Sequence, residues 1–309
     1  MSAPTRSPID RRALATLLNT LEASPDLWTG GSPETLAALD HAYLNPRPGT
    51  RVIGLTGPPG VGKSTLSGRL IAHWRSQDLT VGVLCIDPSS KRSGGALLGD
   101  RLRMQLTGTD PDVFVRSMAT RDRLGGLAPR TTEATFAMRH HCDRVLIETV
   151  GVGQSETEVS ELADVTAVVI QPGSGDALQF LKAGLMEVFD VLVVNKSDLG
   201  PLAEAARREL VSALRVTGHR DATVVMTSAL TDTGIDTLAH SLENRETFAD
   251  GTKGTSHFES ALVERILSEH VAWLGLERII AQGGIGALRT RLSSVTGASP
   301  RTLVRALHS

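Results

Sequence analysis

Between the apolar, β-forming run Val52-Ile53-Gly54-Leu55-Thr56 and a helical stretch from Ser64 to about Trp74 lies Gly57-Pro58-Pro59-Gly60-Val61-Gly62-Lys63-Ser64. Strand, G-x-x-x-x-G-K-S and helix, in that order, form a phosphate-binding loop and leave few folds open to the chain. Glycines let the backbone wrap a phosphate, because side chains there would block the approach and forbid the φ values required. The loop N–H groups and the helix N-terminus supply positive potential. Lys63 is placed to reach β- and γ-phosphates, and the Ser64 hydroxyl to ligate Mg²⁺. Pro58, Pro59, Gly60, Val61 and Thr65 complete the expected nucleotide contacts.

Further apolar runs follow at Val81–Ile86, Val145–Ile147, Ala167–Ile170 and Val191–Val194, with a weaker one at Val224–Met226. They are continuous rather than alternating, as strands are when helices cover both faces of a parallel sheet. We therefore expect a doubly wound, mainly parallel α/β core over residues 50–248. Residues 1–49 read as a helical extension: Leu14, Leu17, Leu18 and Leu21 share a helical face, and Ser32-Pro33-Glu34 opens a second helix ending near Leu44. Asn45-Pro46-Arg47-Pro48-Gly49 stops it. Beyond the polar break at residues 249–256, helical periodicity resumes and marks residues 249–309 as a C-terminal helical region.

Asn195-Lys196-Ser197-Asp198 follows the Val191–Val194 run. A carboxylate at Asp198 accepts from both N1–H and the exocyclic amine of guanine, and adenine offers no matching donor pair. A buried acceptor rejects the wrong base by being left unpaired. Ser228, Ala229 and Leu230, after the next strand, would bring a backbone N–H to guanine O6. The nucleotide expected is GTP or GDP. Glu148-Thr149-Val150-Gly151 ends the Val145 strand, where the Gly151 N–H would meet the γ-phosphate and Glu148 would hold Mg²⁺, through water. Asp87, at the end of the second strand, and Asp100, after Gly94-Gly95 and Gly99, could both approach the metal once the intervening loop closes. Gln154 is a candidate for orienting the attacking water, although it falls three residues after Gly151. Each carboxylate has a plainer reading as a solvated strand end or helix cap.

Composition narrows the partners. Lys and Arg number 32 against 34 Asp and Glu, and aromatics are few, so a nucleic-acid binder is disfavoured. Two cysteines exclude a disulfide scaffold and a four-cysteine zinc site. His140-His141-Cys142 has metal-ligand residue types, but its spacing reads as ordinary packing. No run approaches the about 18 apolar residues that cross a bilayer, nor is there a signal-peptide core, so the default location is cytoplasmic without membrane association.

Together Thr56–Thr65, Asp87–Ser90 with Gly99-Asp100, and above all Glu148-Thr149-Val150-Gly151-Val152-Gly153-Gln154-Ser155-Glu156 resemble the SIMIBI-class P-loop GTPases called MeaB, ArgK or MMAA. The likeness covers roughly residues 50 to 245. It implies a GTP-hydrolysing chaperone that gates adenosylcobalamin loading and protects an acyl-CoA mutase of the methylmalonyl-CoA mutase type. An adenosyltransferase would supply the cofactor, and the C-terminal helices would form a homodimer. Asp87, Asp100 and Glu148 would surround the magnesium, Lys63, Glu148, Asp100 and Gln154 would serve catalysis, and Gln179 and Lys182 would belong to a switch touching the mutase. Phe180 and Ala183 depart from the family's pattern there and bear on which mutase is met. The alternatives are a nickel-insertion GTPase, whose usual Cys/His ligands are missing here, an ATP-dependent kinase linked to amino-acid transport, against which Asn195–Asp198 speaks, and a scaffold that binds GTP without turnover.

Overall fold

The computed structural model describes residues 7–24, 27–87, 110–119, 127–149, 155–173, 189–218 and 223–244, with a few isolated positions beyond them. These residues fall into two compact units.

The larger unit is built on a sheet of 7 strands, all parallel. In chain order they are β1 (Arg51–Thr56), β2 (Val81–Asp87), β3 (Val113–Ala119), β4 (Arg144–Thr149), β5 (Val165–Ile170), β6 (Val191–Val194) and β7 (Thr223–Met226). Their spatial order is β3-β2-β4-β1-β5-β6-β7. The expected runs are therefore strands, and the edge strand β3 joins them unannounced. Its Val113-Phe114-Val115 start is apolar, but Arg116 and Ser117 are only partly buried, as befits a strand with one neighbour.

Successive side chains point to opposite faces of the sheet, and the inner strands are buried nearly throughout, so each face has its own core. Ile53, Leu55, Leu146, Val165, Ala167, Val169, Val191 and Val193 pack with Leu66, Leu70 and Trp74 of α4 (Lys63–Arg75). Leu238 and Leu242 of α8 (Ile235–Asn244) complete that layer. Val168, Ile170, Leu192 and Val194 point to the opposite face, against Ala203, Ala206, Leu210 and Leu214 of α7 (Pro201–Val216), and α6 (Ser155–Leu162) sets Val159 beside Gly54 of β1. A side chain such as Leu70, fully buried here, would cost about 2–5 kcal/mol on truncation to alanine.

Because every strand is parallel, all carboxyl ends lie on one edge of the sheet. The chain turns to opposite sides of β1, whose neighbours are β4 and β5. Such a switch point opens a crevice outside the strand ends, where ligands bind in doubly wound sheets. The glycine-rich loop leaves β1 there.

The smaller unit is helical. Asp10 caps α1 (Arg11–Ala23) by accepting from the Ala13 N–H at 2.9 Å, and Leu14, Leu18 and Leu21 form its buried face. A short α2 (Leu27–Gly30), without sequence periodicity to announce it, precedes α3 (Pro33–Leu44), which Ser32 caps as expected. The fourth member comes from a distant part of the chain: α5 (Thr131–His141), whose Phe136 meets Tyr43 edge-on at 5.0 Å. Buried Arg130 donates to Glu133 at 2.9 Å and to the Ser24 carbonyl, while the Trp28 indole donates to Glu133 at 3.0 Å. Pairing of this kind is what permits a charge inside a core. No helix among the described residues is long and apolar enough to cross a membrane. The C-terminal region falls outside the described residues, apart from isolated helical positions.

Candidate functional site

The loop from Gly57 to Gly62 is shaped by backbone conformations that side chains resist. Gly57 and Gly62 have φ of 138° and 93°. A Cβ on Gly57 would stand 2.1 Å from the Val169 carbonyl oxygen, and one on Gly62 would stand 2.6 Å from the Asn195 amide nitrogen. Val61 is fully buried and pins the loop to the sheet, while Pro59, Gly60 and Thr65 are exposed. Gly62 is the N-cap of α4 and offers no side chain to the helix end, so the first-turn N–H groups are left to an anion. Lys63 is only 7 % exposed. Its ammonium donates to the Gly57 carbonyl at 2.5 Å and the Pro58 carbonyl at 2.9 Å, which keeps the charge inside the loop.

Glu148 approaches from β4. Its register partners Leu55 and Cys85 belong to the core that faces α4, and Glu148 shares that face. The carboxylate is 8 % exposed and accepts from Ser64 Oγ at 2.6 Å and from Ser67 Oγ at 2.8 Å, one hydroxyl on each oxygen. Ser67 was not singled out by sequence reasoning. Its signal was present all the same, since positions 64 and 67 lie on one face of a helix. Next to Glu148, the Thr149 hydroxyl donates to that of Thr56 at 2.9 Å, joining the carboxyl ends of β4 and β1.

The third part comes from the turns after β6 and β7. Asn195, 2 % exposed, donates from Nδ2 to the Val61 carbonyl at 2.8 Å. Its Oδ1 accepts from the Thr227 hydroxyl at 3.1 Å and the Ala229 N–H at 3.3 Å. One amide thus ties the phosphate loop to both turns. Lys196, at φ 60°, donates to the Gly60 carbonyl at 2.9 Å and to Gln171 Oε1 at 2.5 Å. Asp198 lies in the middle of the 3₁₀ turn Ser197–Leu199, is exposed, and accepts from the Ser228 hydroxyl at 2.6 Å. The Ala229 carbonyl accepts from Arg69 Nε of α4 at 3.0 Å. Leu230 stands 77 % exposed beside this turn, an apolar side chain available to a flat ring.

The structure therefore brings together the 57–65 loop, Glu148, Asn195, Lys196, Asp198, Ser228, Ala229 and Leu230 along one sheet edge. Asp87 is the last residue of β2, two places beyond the register partner of Glu148; its side chain falls outside the described residues. Asp100, Gly151, Gln154, Gln179 and Lys182 also lie outside the described residues. His140 and His141 sit at the end of α5, where the His140 and His41 rings meet edge-on at 5.0 Å and His140 Nδ1 lies 2.5 Å from the Asn45 carbonyl oxygen. Among the described residues no group of His, Cys, Asp and Glu is clustered to hold a metal ion.

Against known proteins, residues 36–281 match the family model described as methylmalonyl Co-A mutase-associated GTPase MeaB. A Pyrococcus abyssi relative, named provisionally as a GTPase, is 47% identical over 190 residues, which are 61% of this chain and 56% of the relative. The mitochondrial methylmalonic aciduria type A homolog of Mus musculus is 42% identical over 178 residues, 56% of this chain and 43% of that protein. The chain thus spans a little over half the length of the first of these curated relatives and less than half of the second. The crystal structure of a LAO/AO transport system kinase superposes with a TM-score of 0.58 at 25% identity, covering 97% of this chain and 92% of that one. With the family model matching well over half of its residues, the chain belongs to the MeaB family of mutase-associated GTPases.

Proposed function

We propose that the protein binds and hydrolyses GTP, and couples that cycle to an adenosylcobalamin-dependent acyl-CoA mutase of the methylmalonyl-CoA mutase type. The observation that carries the nucleotide reading is the Asn195 amide, which links the phosphate loop to the turns that carry Asp198 and Ser228. One ligand with phosphates at one end and a base at the other spans those elements. Guanine suits Asp198: its carboxylate accepts from two ring donors while Ser228 fixes its orientation.

Ser64, at the start of α4, and Glu148, near the end of β4, are hard oxygen donors 2.6 Å apart, a donor set that suits Mg²⁺. Asp87 and Asp100 are proposed to complete it. When bound, the metal neutralises charge on the β- and γ-phosphates. The chain's own residues do the rest. Loop N–H groups orient the phosphates, and Lys63 exchanges its two carbonyl partners for phosphate oxygens, a charge-assisted and stronger pairing. Gln154 and the Gly151 N–H are proposed to sense the γ-phosphate. Gln179 and Lys182 are proposed to pass its loss to the mutase. Gating of the cofactor's entry then needs only that the GTP and GDP forms bind the mutase with different affinity. Adenosyltransferase as cofactor donor, a homodimer through residues 249–309 and a cytoplasmic site of action belong to the same reading.

GTP turnover measured with and without purified mutase, in its apo and cobalamin-loaded forms, tests the proposal. The expected result is mutase-dependent acceleration for guanine nucleotides only. Turnover indifferent to every mutase of the host overturns the partner assignment. Equal competition by ATP favours the kinase reading instead.

A further inference from the structure

We infer that Ser67 is a positioning residue for the nucleotide's divalent cation: it holds Glu148 in the one rotamer that serves the metal. The inference rests on the nucleotide reading above and adds a residue to it.

The argument starts from side-chain length. A glutamate has one more rotatable bond than an aspartate, so a carboxylate at the end of β4 reaches further but is less well aimed. Ordering it costs rotamer entropy. The Ser64 hydroxyl holds Oε1. A hydrogen bond to one oxygen does not by itself fix the plane of a carboxylate, which turns about its last bond. Ser67 removes the freedom by donating to Oε2 at 2.8 Å.

The two hydroxyls lie on successive turns of α4, three residues apart, and face β4 together. Ser67 is completely buried, on a helix whose Leu66 and Leu70 belong to the apolar core. A buried hydroxyl is retained where its hydrogen bond is made, and here its partner is the carboxylate. Ser64 can ligate a cation through an oxygen lone pair while its proton continues to point at Glu148, so its bond survives loading. Ser67 is too deep to ligate anything. Its role is to hold Oε2, so that Glu148 would be presented to the cation in one orientation.

The test uses the full chain carrying Ser67→Ala, with Ser67→Cys as a control of nearly the same volume and a weak donor. Fluorescent GDP binding is titrated with MgCl₂ from EDTA upward, beside thermal melts in the nucleotide-free state. Both variants should need about tenfold more Mg²⁺ for half-maximal tightening of GDP, the loss expected for one hydrogen bond to a charged group. Affinity in EDTA should stay within about twofold of the wild type, since the bond acts through the metal. A folded Ser67→Cys protein with wild-type magnesium dependence overturns the assignment to Ser67. A wild-type protein whose GDP affinity ignores magnesium overturns the metal reading itself, and Ser67 with it. If Ser67→Ala melts early while Ser67→Cys does not, the cysteine variant decides.

Discussion

Replacing Asn195 by alanine probes the centre of the site, because this side chain bonds three partners in two distant segments. It donates to the Val61 carbonyl at 2.8 Å and accepts from the Thr227 hydroxyl at 3.1 Å and the Ala229 N–H at 3.3 Å. At 2 % exposure, water reaches the vacated place poorly, so all three partners are left in want of a bond. A net 0.5–1.5 kcal/mol for each such bond gives a combined loss of about 3 kcal/mol. For a chain of this size, about 2–4 °C of melting temperature per kcal/mol turns that into a fall of roughly 6–12 °C. Urea melts and calorimetry on the nucleotide-free protein measure it, and GDP titration measures the accompanying loss of affinity. Should the turns instead open locally, the loss appears in GDP binding with the melt little changed. Asn195→Asp should be worse than alanine, since it sets a buried carboxylate against the Val61 carbonyl. An alanine variant with melting temperature and GDP affinity both at wild-type values refutes the reasoning.

Gly57→Ala should abolish nucleotide binding and destabilise the fold, because its Cβ would lie 2.1 Å from the Val169 carbonyl oxygen; isothermal titration with GDP and a thermal melt check both. Asp198→Asn should cut GDP affinity by about 10²-fold or more, as a donor replaces an acceptor, and should raise affinity for xanthosine diphosphate, read by competition. His141 has a protonation equilibrium held low, chiefly by burial and then by the neighbouring His140. The unfolded chain therefore takes up this proton first as pH falls, and the folded state loses stability below about pH 6.5, the ordinary histidine value. Melting temperature followed from pH 7.5 to 5.5 should drop less steeply for His141→Gln than for the wild type.

Much of this was legible in advance because it is written locally. Strand, glycine-rich loop and helix are consecutive, and Ser32 and Pro33 cap a helix through atoms a few residues apart. Five inner strands announce themselves by unbroken apolar runs, since both of their faces are covered. The same rule hides β3: an edge strand with Arg116 and Ser117 partly exposed need not be apolar throughout. The short α2 carries too few residues to show a period.

The residue types that bind phosphate, metal and base, and their order along the chain, belong to the sequence by itself, because backbone sterics and side-chain chemistry act at short range. Only the tertiary structure decided which of those groups meet. Glu148 finds Ser67 across 81 positions and Asn195 finds Val61 across 134, both through β-sheet register, which no local pattern encodes. Register sets side-chain facing by parity, so it put Glu148 towards α4 and made a buried serine, silent in the sequence, part of the site.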